Sequence, residues 1–159
     1  VIEVVVDESA WRRACPRAAS LAKSAAAATF AHERRSAGLA ILLTDDARLQ
    51  ALNGAFRGKD APTNVLSFAP SAPSPDHLGD IALAFGVCAR EAAEQGKSLK
   101  DHLQHLTAHG VLHLMGYDHE DEAGAEVMEG RERAILASLG IADPYAERPA
   151  QGDHVRHPA

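Results

Sequence analysis

The chain has 159 residues, 46% hydrophobic and 24% charged, with two cysteines and a formal net charge of −6. That make-up is ordinary for one globular domain large enough for a core, it excludes a disulfide framework, and no apolar run approaches the ~18 residues of a membrane helix. The negative balance argues against indiscriminate nucleic-acid binding but leaves room for a local basic groove, and the expected setting is a reducing cytoplasm.

The opening VIEVVVD is too short for a signal-peptide apolar region and is followed by WRRA rather than a cleavage site. It reads as a first strand over residues 1–6. Ser9 is expected to cap a long Ala-rich helix over 10–36, with Trp11, Ala18, Leu21, Ala25 and Phe30 on its apolar stripe and Gly38 as its stop. A second strand follows over 39–43. Thr44 then reads as the cap of a helix running to about Phe56, with Leu49 and Leu52 inward and Asp45 and Asp46 in its first turn. The run RGKDAPTN (57–64) is turn-rich. A third strand over 65–69, a proline-rich exposed loop over 70–77 and a fourth strand over 78–86 come next. A short helix covers 87–95 and ends at Gly96. Ser98 with Asp101 resembles a capping box for a helix from Leu99 to about Met115. The last helix spans about 122–139 and stops at Gly140. Residues 143–159 carry three prolines and no apolar periodicity, and are expected as a disordered tail after a single domain over 1–142. Interleaved strands and helices of this kind predict an α+β fold, a small mixed four-stranded sheet packed with about five helices.

The run HGVLHLMGYDH (109–119) carries the chemistry. Positions i and i+4 of an α-helix lie nearly above one another, so His109 and His113 present two imidazoles on one face. Gly116 can take the left-handed conformation that ends a helix, which brings His119 round to the same point. Three neutral imidazoles with an open fourth position form the ligand set of a catalytic zinc. Affinity for the metal should fall at low pH, because ligands must shed protons. In H-E-x-x-H zincins the residue after the first His is the Glu that serves as base. Here it is Gly110, so the frame is metzincin-like while the protease base is missing. Cys15 and Cys88 are too far apart for a C-x-x-C knuckle.

Other residues support this centre. Arg57 opens the RGKDAPTN loop, where its guanidinium either grips a phosphate through two parallel hydrogen bonds or caps the preceding helix. Lys59 is a weaker phosphate contact. Asn64 and Ser67 border the expected groove; Asn64 either reads a base or ribose hydroxyl or caps a turn. Asp80, a carboxylate in an apolar strand, needs an Arg or a ligand His as partner. His105 and His102 lie one to two turns before the first ligand, as groove lining, as supports of the metal ligands, or as partly buried polar residues. Asp118 adjoins a ligand and either supports it or caps the next helix. Acidic residues gather in the final helix, while Arg57, Lys59, Lys97 and Lys100 flank the motifs, so one basic groove on an acidic body is expected.

Three segments in order, LNGAFRGKDAPTNVLSF (52–68), LGDI (78–81) and HGVLHLMGYDH, resemble the YbeY family of bacterial rRNA maturation endoribonucleases over roughly residues 40–140. The resemblance implies an α+β fold with a zinc-like metal, Zn2+ for preference, on three His, and it includes Arg57 in the motif, so that Arg57 and His113 would carry catalysis. It implies a single-strand-specific endoribonuclease that matures the 3′ end of small-subunit rRNA and serves ribosome quality control. The implied partners are RNA, the small ribosomal subunit and an Era-type GTPase, with no membrane. The alternatives are a metalloprotease-like or other metal-dependent hydrolase, and a non-catalytic ribosome-assembly factor with a structural metal.

Overall fold

The structure is a computed structural model; it describes residues 1–58, 63–72, 74 and 76–146, apart from the side chain of Arg57. Four strands, β1 (Ile2–Val6), β2 (Gly38–Thr44), β3 (Val65–Phe68) and β4 (His77–Ala84), form one sheet in the order β1-β2-β4-β3. β1 and β4 run parallel to β2, and β3 lies antiparallel to β4 at the edge. The expected mixed four-stranded sheet is therefore present. Among the described residues six helices accompany it: α1 (Ala10–Ala14), α2 (Ala18–Glu33), α3 (Asp46–Arg57), α4 (Phe85–Glu94), α5 (Leu99–Leu114) and α6 (Glu122–Ser138). Among the described residues no helix is long and apolar enough to cross a membrane.

The long first helix expected over 10–36 is two helices. Pro16 lacks the donor that an interior helical turn requires and pushes the residue before it out of the helical region. Cys15 accordingly sits at φ −144°, ψ 87°. Ser9 is not a side-chain cap; the Glu8 carboxylate takes the Ala10 N–H at 2.9 Å instead. α2 ends before Gly38, because Arg34 turns left-handed (φ 54°) and the Arg35 N–H closes on the Phe30 carbonyl at 3.0 Å. Thr44 belongs to β2, with its carbonyl accepting the Trp11 indole N–H at 3.0 Å. Asp45 is the cap of α3, accepting the Arg48 N–H at 2.7 Å. β4 gives way to α4 at Phe85, earlier than its apolar pattern suggests. The cause is a cap supplied from another helix: Asp46 accepts the Val87 N–H at 3.1 Å.

Alternation along the strands splits the core. Leu39, Ile41, Leu43, Ile81 and Leu83 face α2 and α5 together with Trp11, Ala22, Leu103 and Leu106. Leu42, Leu66, Phe68, Ala82 and Ala84 face Leu49 and Leu52 of α3 on the other side. Burying each such large side chain contributes about 1.5–3 kcal/mol. A polar tie joins the helices on the first face. Glu33, the last residue of α2, accepts the Tyr117 hydroxyl at 2.7 Å and pairs with Arg131 of α6 at 3.3 Å. Burial works against the ionised carboxylate, but the Tyr117 hydrogen bond, His32 and Arg131 outweigh it and hold Glu33 below its ordinary pKa.

Because the folded-state pKa of Glu33 lies below its unfolded value, near 4.5, the stability it contributes is complete above that value and is lost as pH falls through the folded one. Glu33→Gln is expected to melt below the wild type at pH 7, with the gap closing in acid. Paired melting curves across this range check it; a gap that stays constant into strong acid would count against the assignment.

Candidate metal centre and its surroundings

α5 starts where Ser98 accepts the Asp101 N–H at 3.0 Å. Every residue from His102 to Leu112 is buried. Leu103, Leu106 and Val111 enter the main core, while Ala108 and Leu112 pack on Met128 and Ile135 of α6. Beyond Leu112 the helix emerges at its C-terminal turn. His109 is buried there and His113 is exposed. Gly116 takes φ 105°, a region L side chains rarely adopt, and the Tyr117 N–H bonds back to the Leu112 carbonyl at 3.2 Å. With Tyr117 tied to Glu33, the chain returns and sets His119 beside His109.

The three rings gather. Centroids lie 5.2 Å apart for His109 and His119, 6.3 Å for His109 and His113, and 6.4 Å for His113 and His119. Three imidazoles sharing one tetrahedral zinc at 2.0–2.1 Å would place their centroids about 5 Å apart. One pair meets that value and the other two are wider by roughly 1 Å, so among the described residues the side chains do not close into a ligand set. The donor chemistry nonetheless fits a metal. The Nε2 of His119 is buried without a hydrogen-bond partner. His109 is held through Nδ1 by Glu132 at 2.7 Å, leaving its Nε2 for another partner.

Glu132 is fully buried. Its second oxygen meets His105 Nε2 at 2.7 Å and the Tyr145 hydroxyl at 2.5 Å. Burial would push the carboxyl up, but the hydrogen bonds from His105 and His109 outweigh that and hold it well below the usual carboxylate range. Burial also holds His105 below its ordinary value in spite of Glu132. A neutral His105 thus donates from Nε2 to an ionised Glu132. One turn earlier His102 Nε2 pairs with the Glu91 carboxylate at 2.9 Å.

Comparison with known proteins decides the family. A family model described as Endoribonuclease YbeY matches residues 6–140. A protein named Endoribonuclease YbeY from Rhodopseudomonas palustris (strain HaA2) is 47% identical, the match covering 92% of this chain and 82% of the relative. Its namesake from strain ATCC BAA-98 / CGA009 is 48% identical, covering 91% and 80%. The chain belongs to the YbeY endoribonuclease family. Membership makes it one of a family of RNA hydrolases. The solution structure of TM1509 from Thermotoga maritima has the same fold, with a TM-score of 0.56 at 19% identity over 97% of this chain and 100% of that one.

The structure distributes the other candidates of this YbeY chain unevenly. Arg57 is the last residue of α3, before left-handed Gly58; its side chain and all of Lys59 lie outside the described residues. Ser67 is buried, and its hydroxyl donates to the Gly110 carbonyl at 3.1 Å, clamping β3 to α5. Asn64 is buried too, donating to Glu91 at 3.0 Å and accepting the Val65 N–H at 2.7 Å. Asp80 departs from expectation. It is exposed, it pairs with His77 at 2.9 Å rather than with an Arg or a ligand His, and by strand parity it shares the α3 face with Ala82. Asp118 is exposed and accepts the Glu120 N–H at 3.2 Å, shaping the turn into α6. Lys97 and Lys100 stand at the far end of α5, so Lys100 is about 20 Å from His113 by helix rise, and they do not extend a basic groove to the rings. Tyr145, three residues beyond the expected boundary at 142, reaches Glu132.

Glu132 and Tyr145 escaped the sequence reading. The available signal was position: Ala125, Met128, Ile135 and Leu136 are buried on α6, and Glu132 falls on that same apolar stripe. Phe56 was missed as well. It is 69% exposed beside Arg57 and stands edge-on to Phe68 at 5.4 Å.

Gly110, where a zincin carries its base, faces the sheet. A Cβ there would lie 3.1 and 3.2 Å from Ile81 carbons and 3.3 Å from Ser67 Oγ. Gly110→Glu is expected to gain no peptide hydrolysis and to lose about 3 kcal/mol or more, because the carboxylate would be driven into this contact without a partner. A circular-dichroism melt checks it; an unchanged Tm would mean that the position opens to solvent.

Proposed function

We propose that the chain is a metal-dependent endoribonuclease specific for single-stranded RNA, with one zinc-type ion held by His109, His113 and His119. We assign it to rRNA processing, at the 3′ end of small-subunit rRNA, and to ribosome quality control, with the small ribosomal subunit and an Era-type GTPase as partners. The observation that carries the metal reading is the buried, unpartnered Nε2 of His119 set 5.2 Å, ring to ring, from a His109 whose other nitrogen is already engaged. A buried polar nitrogen without a partner is costly unless a ligand completes it.

A divalent ion at this point supplies Lewis acidity toward a phosphoryl oxygen or water. The protein's own residues supply the rest. His113, exposed beside the other two rings, faces the substrate side. Arg57 is the proposed phosphate clamp, with Lys59 adding charge. Phe56 presents a ring on which an unpaired base can stack, which favours single strands over duplex. Asn64 and Ser67 act one step back, by holding Glu91 and the α5 backbone in place. Gly110 disfavours the protease reading, since no carboxylate base fits at that position.

Zinc-loaded protein is expected to cleave a single-stranded RNA. Cleavage should disappear after chelation and in His113→Ala, whose exposed position predicts a folded variant with a melting curve close to wild type. Cleavage that survives in both controls would remove the three imidazoles from the reaction, and peptide hydrolysis in place of RNA cleavage would favour the protease reading.

A further inference from the structure

Three donors converge on one buried carboxylate. His109 Nδ1 reaches one oxygen of Glu132 at 2.7 Å, while His105 Nε2 at 2.7 Å and the Tyr145 hydroxyl at 2.5 Å share the other. An ionised carboxylate only accepts, so each of these three groups must present its hydrogen to Glu132. For His105 this leaves Nδ1 as the lone-pair nitrogen, and that atom is buried with no hydrogen-bond partner. Of the two forms such an orphan can take, a bare lone pair costs less than an unpaired N–H. For His109 the same logic leaves the lone pair on Nε2, the nitrogen available to the ring cluster with His113 and His119.

We propose that Glu132 is a positioning residue for the RNA-cleaving centre: by accepting the Nδ1–H of His109 it fixes the tautomer and ring orientation that turn Nε2 toward a metal, and Tyr145 and His105 hold it to that task from the other oxygen. This rests on the three-histidine reading above. Glu132 touches neither RNA nor the reacting atoms, and it acts through His109. Carboxylates that take the second nitrogen of a ligating imidazole commonly raise metal affinity in this way. The proposal also gives the segment after α6 a role, since Tyr145 belongs to the support of the site. Tyr145 is further placed by its own contacts, edge-on to His105 at 5.5 Å and under the Arg133 guanidinium at 5.5 Å.

Glu132→Gln separates this role from mere packing, because the shape is kept and one acceptor oxygen becomes a donor. The remaining oxygen can serve His105 and Tyr145 only by turning the amide NH2 toward His109 Nδ1. His109 must then carry its hydrogen on Nε2, which disables that atom as a ligand. The test has two readouts, histidine 15N spectra of the zinc-free protein and zinc affinity by chelator competition. In the wild type His109 is expected as the Nδ1–H tautomer. In Glu132→Gln it should shift to Nε2–H, with zinc binding weakened about 10–100-fold. Tyr145→Phe should weaken zinc binding by a smaller factor and keep the wild-type tautomer, and it carries the affinity test if Glu132→Gln does not fold. An Nε2–H tautomer in the wild type, or wild-type zinc affinity in a folded Glu132→Gln, overturns the proposal. A wild type with the Nδ1–H tautomer that takes up no zinc would instead remove the metal reading while the pairing of Glu132 with His109 stands.

Discussion

The fold depends on α5 being sunk into the protein along most of its length. From His102 to Leu112 no residue of that helix reaches solvent freely, because the sheet, α2, α4 and α6 cover it from all sides. A helix so enclosed must find acceptors from within for the N–H groups of its side chains, and each failure costs about 1–3 kcal/mol. His102 and His105 therefore need acceptors brought to them, and α4 and α6 deliver Glu91 and Glu132. The same carboxylates then bind outward, Glu91 to Asn64 before β3 and Glu132 to His109 and Tyr145. The polar interior is in this sense a consequence of burying one helix completely.

The opposite side of that helix is governed by close approach. α5 lies so near the sheet that a Cβ at Gly110 would press on Ile81 and Ser67, and one at Gly79 would lie 2.6 Å from the Phe68 carbonyl and 2.8 Å from Leu114. Two glycines, one on the helix and one on β4, thus set the distance between helix and sheet. With that distance fixed, the C-terminal turn of α5 leaves the core at His113, and the bend at Gly116 returns His119 to His109. The missing zincin glutamate and the position of the ring cluster share one cause, which is that position 110 is spent on packing.

Most of this was legible in the chain, for reasons that can be named. The i,i+4 spacing of His109 and His113 followed by Gly116 and His119 foretold the ring cluster, because helix geometry and a left-handed glycine leave little freedom there. The mixed four-stranded sheet followed from strand patterning. What remained hidden depended on distant partners. Asp46 starts α4 from another helix, and Glu132 reads as one more charge in an acidic helix until its place on the buried stripe is noticed. Ser67 looked like a groove residue, yet its hydroxyl is engaged by the Gly110 carbonyl, forty-three positions away in sequence. Asp80 looked in need of an Arg or a ligand His because its neighbours in β4 are apolar, whereas it is exposed and takes its partner from the same strand, His77. Pro16 was legible and outweighed by the alanine-rich stripe around it, which shows that a missing donor and a pre-proline clash override helix propensity.

The charge of the chain takes on a different meaning once Glu132 is placed. A protein of net charge −6 repels a polyanion at long range, so attraction to RNA must be built locally. The three imidazoles must be neutral to serve as ligands, so under the proposed reading the divalent cation sets its charge against the ionised Glu132 behind it and the exposed Asp118 beside His119, with Arg57 and Lys59 adding positive charge. The buried side of that centre is partly desolvated, where a charge acts more strongly than in water. Under the proposed reading the cation offsets the carboxylate buried one layer behind the centre, so loading of the site and attraction of a phosphodiester are linked.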